Sequence, residues 1–545
     1  MLLQALSTEL LEMILGYLSV PSMLTSKQVN RFFYGLIEDS VRLQYKTELY
    51  AAGMINGPPG RMAIVERLQR LKEYQRAWRA LDFSAEVTIP EGVSFLSISP
   101  SALAQPEASR SGIEIVHLPS RLRGLEEKRW QCLIQDEKID MSTVLIEVDI
   151  DQDLLVLIQE LEDEHAFPPT KTARIQFRSL ATGDPHPLAR VSALSPVEMF
   201  YDPDHALSLQ ADVLAWLELE GDIYEDDGRS VLRLWNWKTG NLIWKMSSEY
   251  SARCPRSFAF LNCDHFLVCL GDQLVVYSVD VDCEEMTCVP SGDGDYVCAF
   301  NLPERSSNAL RGLTIAMQAI PFSEQRQLSP APFHADASER LFLITIILLP
   351  TGVDDGDRHD VFILFVPSST FLSSLANVEV GRARRNLPWD AWGPTGSRMI
   401  EVLADGLHQI FPAPDDWHLF VDDVCTSSGL RGLVTYASWI ITEEQPIMLE
   451  VYDFTPGAVR QLTPLTSLPT RTIRPTETST TYVTGPSTIR KPSSFVRDVV
   501  TSLPYCLSRT RISLSSEENR LEKAVLMADG VMVQDSGPQF RVLTI

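Results

Sequence analysis

The chain reads as an α+β multidomain protein, a helical N-terminal segment followed by a large all-β body. Three observations predict this. Apolar residues recur at helical spacing through residues 7–37 and again through 61–79. Beyond Leu81 the pattern changes to short runs rich in Val, Ile, Leu and aromatics, separated by turns of Gly, Pro, Asp and Ser. One strand-and-turn segment then recurs along that second region.

The first helix begins at Ser7, a natural N-cap, and carries Leu11, Ile14, Leu15 and Leu18 at i, i+3, i+4, i+7. Leu10, Met13 and Tyr17 lie on a neighbouring face, so the apolar surface is too wide for one contact. Gly16 weakens this helix without breaking it. Pro21 and Ser22 restart a short helix through Met23 and Leu24. A third follows from about Asn30, with Val29, Phe32, Phe33, Leu36 and Ile37 in the same spacing. Helices this short cannot bury so much apolar area among themselves. A covering surface is therefore expected, in this chain's own β body or in another subunit.

The residue order is Leu6-Ser7-x-Glu9-Leu10-Leu11-x-x-Ile14-Leu15-x-Tyr17-Leu18, then Leu24, then Gln28-Val29-x-Arg31-Phe32-Phe33-x-x-Leu36-Ile37. It resembles an F-box, whose pattern opens Leu-Pro-x-Glu. Ser7 stands where that family usually has proline, and serine keeps a helix N-terminal signal. The resemblance implies a three-helix domain over residues 1–50 that binds a Skp-type adaptor and, through it, the cullin scaffold of a ubiquitin ligase. The adaptor-binding set it implies is Leu6, Leu10, Leu11, Ile14, Leu15, Leu18, Leu24, Val29, Phe32 and Phe33. Some of these must form the bundle's own core, and the sequence leaves that division open.

Residues 51–80 form the link. Gly53 to Gly60, containing Gly57-Pro58-Pro59-Gly60, breaks the helical pattern. Over 61–79, Met62, Val65, Leu68, Leu71, Tyr74 and Trp78 make an apolar stripe among arginines and lysines. Such a basic amphipathic helix can serve a membrane or a calmodulin-like partner. Here Glu66 and Glu73 dilute the charge and the following domain is acidic, so a helix docked on its own body is expected.

The body, residues 81–545, contains runs such as GIEIVHL, TVLIEVDI, RIQFRSL, QLVVYSV, LFLITIILL and DVFILFV. Many strands without long intervening helices indicate a sandwich, barrel or propeller. The internal repeat decides. Arg174 to Gly183 aligns without gaps onto Val231 to Gly240, both ending Thr-Gly. Leu449 to Gly457 fits the same frame with Tyr452-Asp453 at the place of Trp235-Asn236, and Leu274 to Ser278 is a weaker copy. The turn glycine supplies positive φ, and the aromatic is expected to pack between adjacent sheets.

Val231-Leu-Arg-Leu-Trp235-Asn236-x-x-Thr239-Gly240 resembles the end of a WD repeat, with asparagine for the usual aspartate. The fold expected from this resemblance is a divergent WD-like β-propeller. Spread over seven blades, the body allows roughly 65 residues each, longer than a typical WD unit, so long insertions are expected. One is Thr463 to Ser494, with fifteen Ser/Thr and five Pro, a composition that disfavours ordering. Gly221 to Arg229 and Gly352 to Asp360 read as acidic hairpin tips. F-box, basic Arg76-Ala77-Trp78 helix and divergent propeller, in that order, look like a large group of fungal F-box proteins. Trp392-Gly393-Pro394-x-x-x-Arg398 and Ser502-Leu503-Pro504-Tyr505 are further echoes of that group.

Composition bounds the remaining functions. Net charge is −25, yet residues 1–80 hold ten basic and seven acidic side chains, so the β body is the acidic part. A body of that charge repels phosphate backbones, and nucleic-acid binding is not expected. The longest uncharged apolar run, Leu341 to Leu349, is too short for a membrane helix. The N-terminus lacks the basic region of a secretory signal, and nine cysteines cannot all pair, which points to reduced thiols in the cytosol or nucleus.

No phosphate-binding glycine loop, His-Glu-x-x-His helix, Gly-x-Ser-x-Gly elbow or Cys-x-x-Cys pair occurs. The best metal-like clusters, Tyr201-Asp-Pro-Asp-His205 and Asp354-Asp-x-Asp-x-His-Asp360, read as acidic surface turns. No catalytic residue, cofactor or metal is therefore expected, and no membrane. The function implied by the resemblance is a non-enzymatic adaptor whose β body selects a client protein. A propeller enzyme with a helical cap, or an F-box scaffold without a client, are the alternatives.

Overall fold

In a computed structural model the described residues are 6–90, 97–107, 112–135, 139, 144–163, 170–200, 203–220, 228–249, 254–282, 287–290, 296–306, 311–318, 330–349, 360–376, 385–402, 425–436, 446–460, 478–513, 521–535 and 539–545. The chain opens with helices α1 (Thr8–Tyr17), α2 (Val20–Val29), α3 (Arg31–Asp39) and α4 (Val41–Ala51). A short strand β1 (Met54–Asn56) and a long helix α5 (Ile64–Ala80) follow. The three-helix expectation for residues 1–50 is thus short by one. Ser40 caps α4 by accepting from the Leu43 amide, and this restart lay hidden in the polar run after Ile37.

The body is a seven-bladed β-propeller. Strand β2 (Ala85–Pro90) precedes blade I, which is β3 (Ser97–Ser99), β4 (Ala102–Pro106), β5 (Gly112–His117) and β6 (Lys128–Leu133). Blade II is β7 (Val144–Asp149), β8 (Leu154–Asp163), β9 (Thr170–Ser179) and β10 (Val197–Met199). Blade III is β11 (Asp204–Gln210), β12 (Val213–Glu220), β13 (Arg229–Asn236) and β14 (Leu242–Glu249). Blade IV begins β15 (Pro255–Phe260), β16 (His265–Leu270), β17 (Gln273–Ser278); β18 (Thr287–Pro290) then returns to β14 before β19 (Cys298–Asn301) completes it.

Blade V is β20 (Arg311–Gln318), β22 (Leu341–Leu349), β23 (Asp360–Pro367) and β25 (Arg398–Val402). Within its span, β21 (Phe333–Ala335) pairs with β1, and β24 (Arg385–Leu387) pairs with β19, between helices α6 (Ser368–Leu375) and α7 (Trp389–Gly396). Blade VI is β26 (Cys425–Ser428), β27 (Arg431–Tyr436), β28 (Pro446–Asp453) and β32 (Tyr505–Ser513), with helix α8 (Pro456–Arg460) after β28. Blade VII is β33 (Leu521–Leu526), β34 (Gly530–Asp535) and β35 (Gln539–Thr544), closed by β2 from the start of the body. Ala85 pairs with Thr544 and Pro90 with Gln539, so the two ends of the body share one sheet and the ring is closed by the hydrogen bonds of blade VII.

Packing follows the same count. Seven apolar clusters each lie between two adjacent blades, from Ile113 and Ile146 between I and II to Met532 and Leu103 between VII and I. The repeats found in the sequence are all third strands: β9, β13, β17 and β28. Their turns are built alike. Gly183 (φ 76°) and Gly240 (φ 80°) donate to the carbonyls of Ser179 and Asn236, both at 2.8 Å. The side chains of Ser179 and Asn236 in turn accept from the amides of Thr182 and Thr239. The aromatic packs between sheets as expected, Trp235 beside Trp216 and Leu145, and Tyr452 stacked 4.8 Å from Phe365 of blade V.

Two expectations about loops change. Of Thr463 to Ser494, residues 463–477 lie outside the described residues, but the rest is ordered. It supplies β29 (Ser479–Val483), which adds to the edge of β32, and β30 (Ser487–Ile489), paired with β31 (Val499–Thr501). Ile489, Phe495 and Val499 enter the core between blades IV and V, so burial offsets the ordering entropy that composition alone disfavoured. The glycine-rich breaker likewise contains β1, and a Cβ on Gly57 would lie 1.9 Å from the Ala331 carbonyl oxygen. Most of the two acidic tips, 221–227 and 352–359, lies outside the described residues.

Candidate functional site: the exposed face of the N-terminal helices

Helices α1 to α3 are set by local signals. Ser19 and Asn30 cap α2 and α3 by accepting from the amides of Ser22 and Phe33. Ser7 occupies the N-cap position of α1 with extended backbone but makes no side-chain cap bond. At the other end of α1, the Lys46 ammonium of α4 donates to the carbonyls of Gly16 and Leu18, each at 2.6 Å. A cation there meets the negative end of the helix dipole and ties α1 to α4. Lys27 and Glu38 pair across α2 and α3.

The bundle core is Leu11, Leu15, Val20, Met23, Leu36, Ile37 and Leu43, with Leu6, Leu18, Leu24 and Phe33 packed half-buried against it. This divides the ten sequence-predicted site residues. Leu11 and Leu15 serve the core, while Leu10, Ile14, Val29 and Phe32 stand exposed. Met13, Tyr17 and Tyr34 are exposed as well and were absent from the predicted set. Met13 and Tyr17 fall three and seven residues after Leu10 and share the neighbouring face visible in the sequence, but the F-box resemblance does not include them. Seven of the seventeen large apolar side chains exposed among the described residues lie between Leu10 and Tyr34, with Tyr17 at 85%. The propeller does not cover this face.

What the propeller covers is α4 and α5. Tyr45, Leu49, Leu68, Leu71, Tyr74 and Trp78 join the apolar core between blades VI and VII. The Tyr45 hydroxyl donates to Pro332, and that of Tyr74 to Ala528 at 2.5 Å. Arg431, paired with Asp453, lies over the rings of Tyr74 and Trp78 at 5.7 and 5.1 Å. Arg79 donates to the Gly457 carbonyl, and its own carbonyl accepts from Ser508. The expectation of a helix docked on its own body describes α5.

These partners share one rim. Pro332, Leu430 and Ala528 lie in connections from first to second blade strands, and Gly457 lies in a third-to-fourth connection. The opposite rim, of second-to-third and blade-to-blade connections, receives no helix of the arm among the described residues. The two motif echoes also meet. Ser502 donates to the Pro394 carbonyl, and Arg398, fully buried, donates to the Leu503 carbonyl at 2.7 Å and faces the Tyr505 ring.

Among the described residues no group of three His, Cys, Asp or Glu is arranged to hold a metal ion. In the Tyr201 to His205 cluster, His205 accepts from the Trp216 indole at Nδ1 and sits 3.6 Å from Glu160, while Tyr201 and Asp202 lie outside the described residues. Burial lowers the His205 pKa. Residues 354–359 of the second cluster also lie outside them. Burial pushes the thiols of Cys132, Cys298 and Cys506 up to about 11 and that of Cys269 to about 12, so these are poor nucleophiles. No described helix is long and apolar enough to cross a membrane.

No family model and no curated protein matches the chain. Among solved structures it is similar to the WD40 domain of SCAP from fission yeast, at 8% identity and TM-score 0.35, over 84% of this chain and 94% of that one. It is also similar to Kluyveromyces lactis Hsv2, at 12% identity and TM-score 0.23, over 52% and 70% of the two chains. A Pyrococcus horikoshii acylaminoacyl peptidase matches at 9% identity and TM-score 0.26, over 66% and 46%. These likenesses are too distant to carry function, and the propeller assignment stands on strand order, closure and inter-blade packing.

Proposed function

We propose that this chain is the substrate-recognition subunit of a cullin-based ubiquitin ligase, a non-enzymatic adaptor of the cytosol or nucleus. Helices α1 to α3 bind a Skp-type adaptor, and the propeller binds a client protein. The observation that carries the reading is the set of apolar side chains Leu10, Met13, Ile14, Tyr17, Val29 and Phe32, which stays exposed while Tyr45, Leu49, Leu68, Leu71, Tyr74 and Trp78 of α4 and α5 are buried on the propeller. A concentration of exposed large apolar side chains on a folded domain marks a protein interaction site. The residue order of these helices, matching the F-box pattern, supports a Skp-type adaptor as the occupant.

In this reading the arm and the client surface are held rigidly apart. The helices rest on one rim of blades V to VII, which leaves the opposite rim for the client. Catalysis belongs to other subunits, and this chain contributes proximity between client and ubiquitin donor. The test is a pull-down of a purified Skp-type adaptor by the full chain. Binding that disappears in the Ile14→Asp, Phe32→Asp double variant supports the proposal. No binding by the wild-type chain, or undiminished binding by that variant, overturns it.

A further inference from the structure

The segment after β29 leaves blade VI and crosses to blade V as a strap. Hairpin β30–β31 packs against β25, and Phe495 at its tip is buried 4.9 Å from the Phe362 ring. The tip is fastened by charge. The Lys491 ammonium lies 3.2 Å from Asp360 and 2.9 Å from Glu401, and Ser494 also donates to Asp360. Backbone bonds from Ser306 to Ser494 and from Val496 to Glu304 complete the contact.

Ser493 takes part in this fastening. It is exposed, and its hydroxyl donates to Asp360 Oδ2 at 3.4 Å. The sequence around it is Arg490-Lys491-Pro492-Ser493-Ser494-Phe495, with cations three and two residues before the hydroxyl. Arg490 is 79% exposed. Two cations at those positions complement the acidic substrate groove of a basophilic serine/threonine kinase. Neighbouring Ser494 is buried and faces inward.

We propose that Ser493 is a phosphorylation site for a basophilic kinase and that its phosphate opens the strap from blade V. In the transfer, Ser493 Oγ attacks the γ-phosphorus of ATP and its proton passes to the kinase's catalytic carboxylate. The bond from that phosphorus to the β,γ-bridging oxygen breaks, and ADP leaves. A phosphoserine of charge about −1.5 to −2 then stands beside the Asp360 and Glu401 carboxylates. It repels both and competes with them for Lys491, so the cation that fastens the tip is drawn away. The kinase takes its acceptor in extended form, whereas residues 491–494 form a turn closed by the Ser494 amide on the Lys491 carbonyl. Phosphorylation therefore captures the opened strap and opposes its return.

The test incubates the full chain with ATP and the catalytic subunit of cAMP-dependent protein kinase, then reads the site by peptide mass spectrometry and strap protection by hydrogen exchange. The expected result is phosphate on Ser493, absent in Ser493→Ala, with exchange over 487–500 about tenfold faster in the phosphorylated chain. Asp360→Asn, which weakens the hold on Lys491, Ser493 and Ser494 while leaving the acceptor residue and the cations before it unchanged, should speed incorporation. No phosphate on Ser493, phosphate with unchanged exchange, or an Asp360→Asn rate equal to wild type would each overturn the proposal.

Discussion

Replacing Ile14 by aspartate separates folding from binding. Ile14 is 42% exposed, while its neighbour Leu15 is 4% exposed and belongs to the bundle core. An aspartate at position 14 stays in water in the free chain, so the melting temperature should change little. In a complex that covers this face, the substitution loses about 1 kcal/mol of apolar burial. The carboxyl must also shed its charge, and taking up a proton at pH 7 from an ordinary pKa costs about 4 kcal/mol. The sum predicts adaptor binding weaker by on the order of a thousandfold or more. Leu15→Ala should do the opposite: a loss of about 2–5 kcal/mol of local stability from the cavity, with binding retained by the folded fraction. Surface plasmon resonance on immobilised adaptor, with differential scanning fluorimetry on the same samples, reads both. Binding of Ile14→Asp within threefold of wild type would refute the reasoning.

Further expectations follow from the propeller. Gly240→Ala places a Cβ 2.3 Å from Val191 at φ 80°, and should destabilise by about 1–3 kcal/mol in chemical denaturation. Gly16→Ala meets nothing within 4 Å inside α1 and should stabilise that helix by up to about 1 kcal/mol, read by local hydrogen exchange. Asp529→Ala strands the buried Arg123 between blades VII and I and should cost about 3–5 kcal/mol, read as a lower denaturation midpoint. Burial raises Glu147, which accepts from Ser97, from 4.5 to about 8, so the folded state holds a proton that the unfolded chain has released. Stability from this site is therefore full below pH 4.5 and falls as pH rises towards 8. Melting temperatures across that range should decline less in Glu147→Gln, and parallel curves would contradict the assignment.

Elements whose cause is local were legible before any coordinates. The helix restart at Pro21, the helix from about Asn30, the 3.6-residue stripe of α5, and the Thr-Gly turns at Gly183 and Gly240 each arise from a few neighbouring residues. The repeat frame read from Arg174, Val231, Leu274 and Leu449 marks third strands of blades because the turn chemistry travels with the strand. The start of α4 was missed because its cap, Ser40, lies in a polar stretch and most of the apolar face of α4, Val41, Tyr45 and Leu49 against Leu43, is spent on the propeller rather than the bundle.

The sequence by itself determined that a wide apolar surface would crowd the first forty residues, and that a β body with repeated third strands would follow. Only the tertiary structure decided which of those side chains are spent on the bundle and which remain in view. Leu11 and Ile14 are equally apolar and three residues apart, and nothing in their chemistry distinguishes core from surface. That difference arises from where α3 and α4 lie, and α4 is held by contacts with residues nearly three hundred positions away, such as Tyr45 on Pro332. The closure of the ring is of the same kind, since β2 finds β35 across the whole body, and pairing at that separation is a property of the folded chain alone.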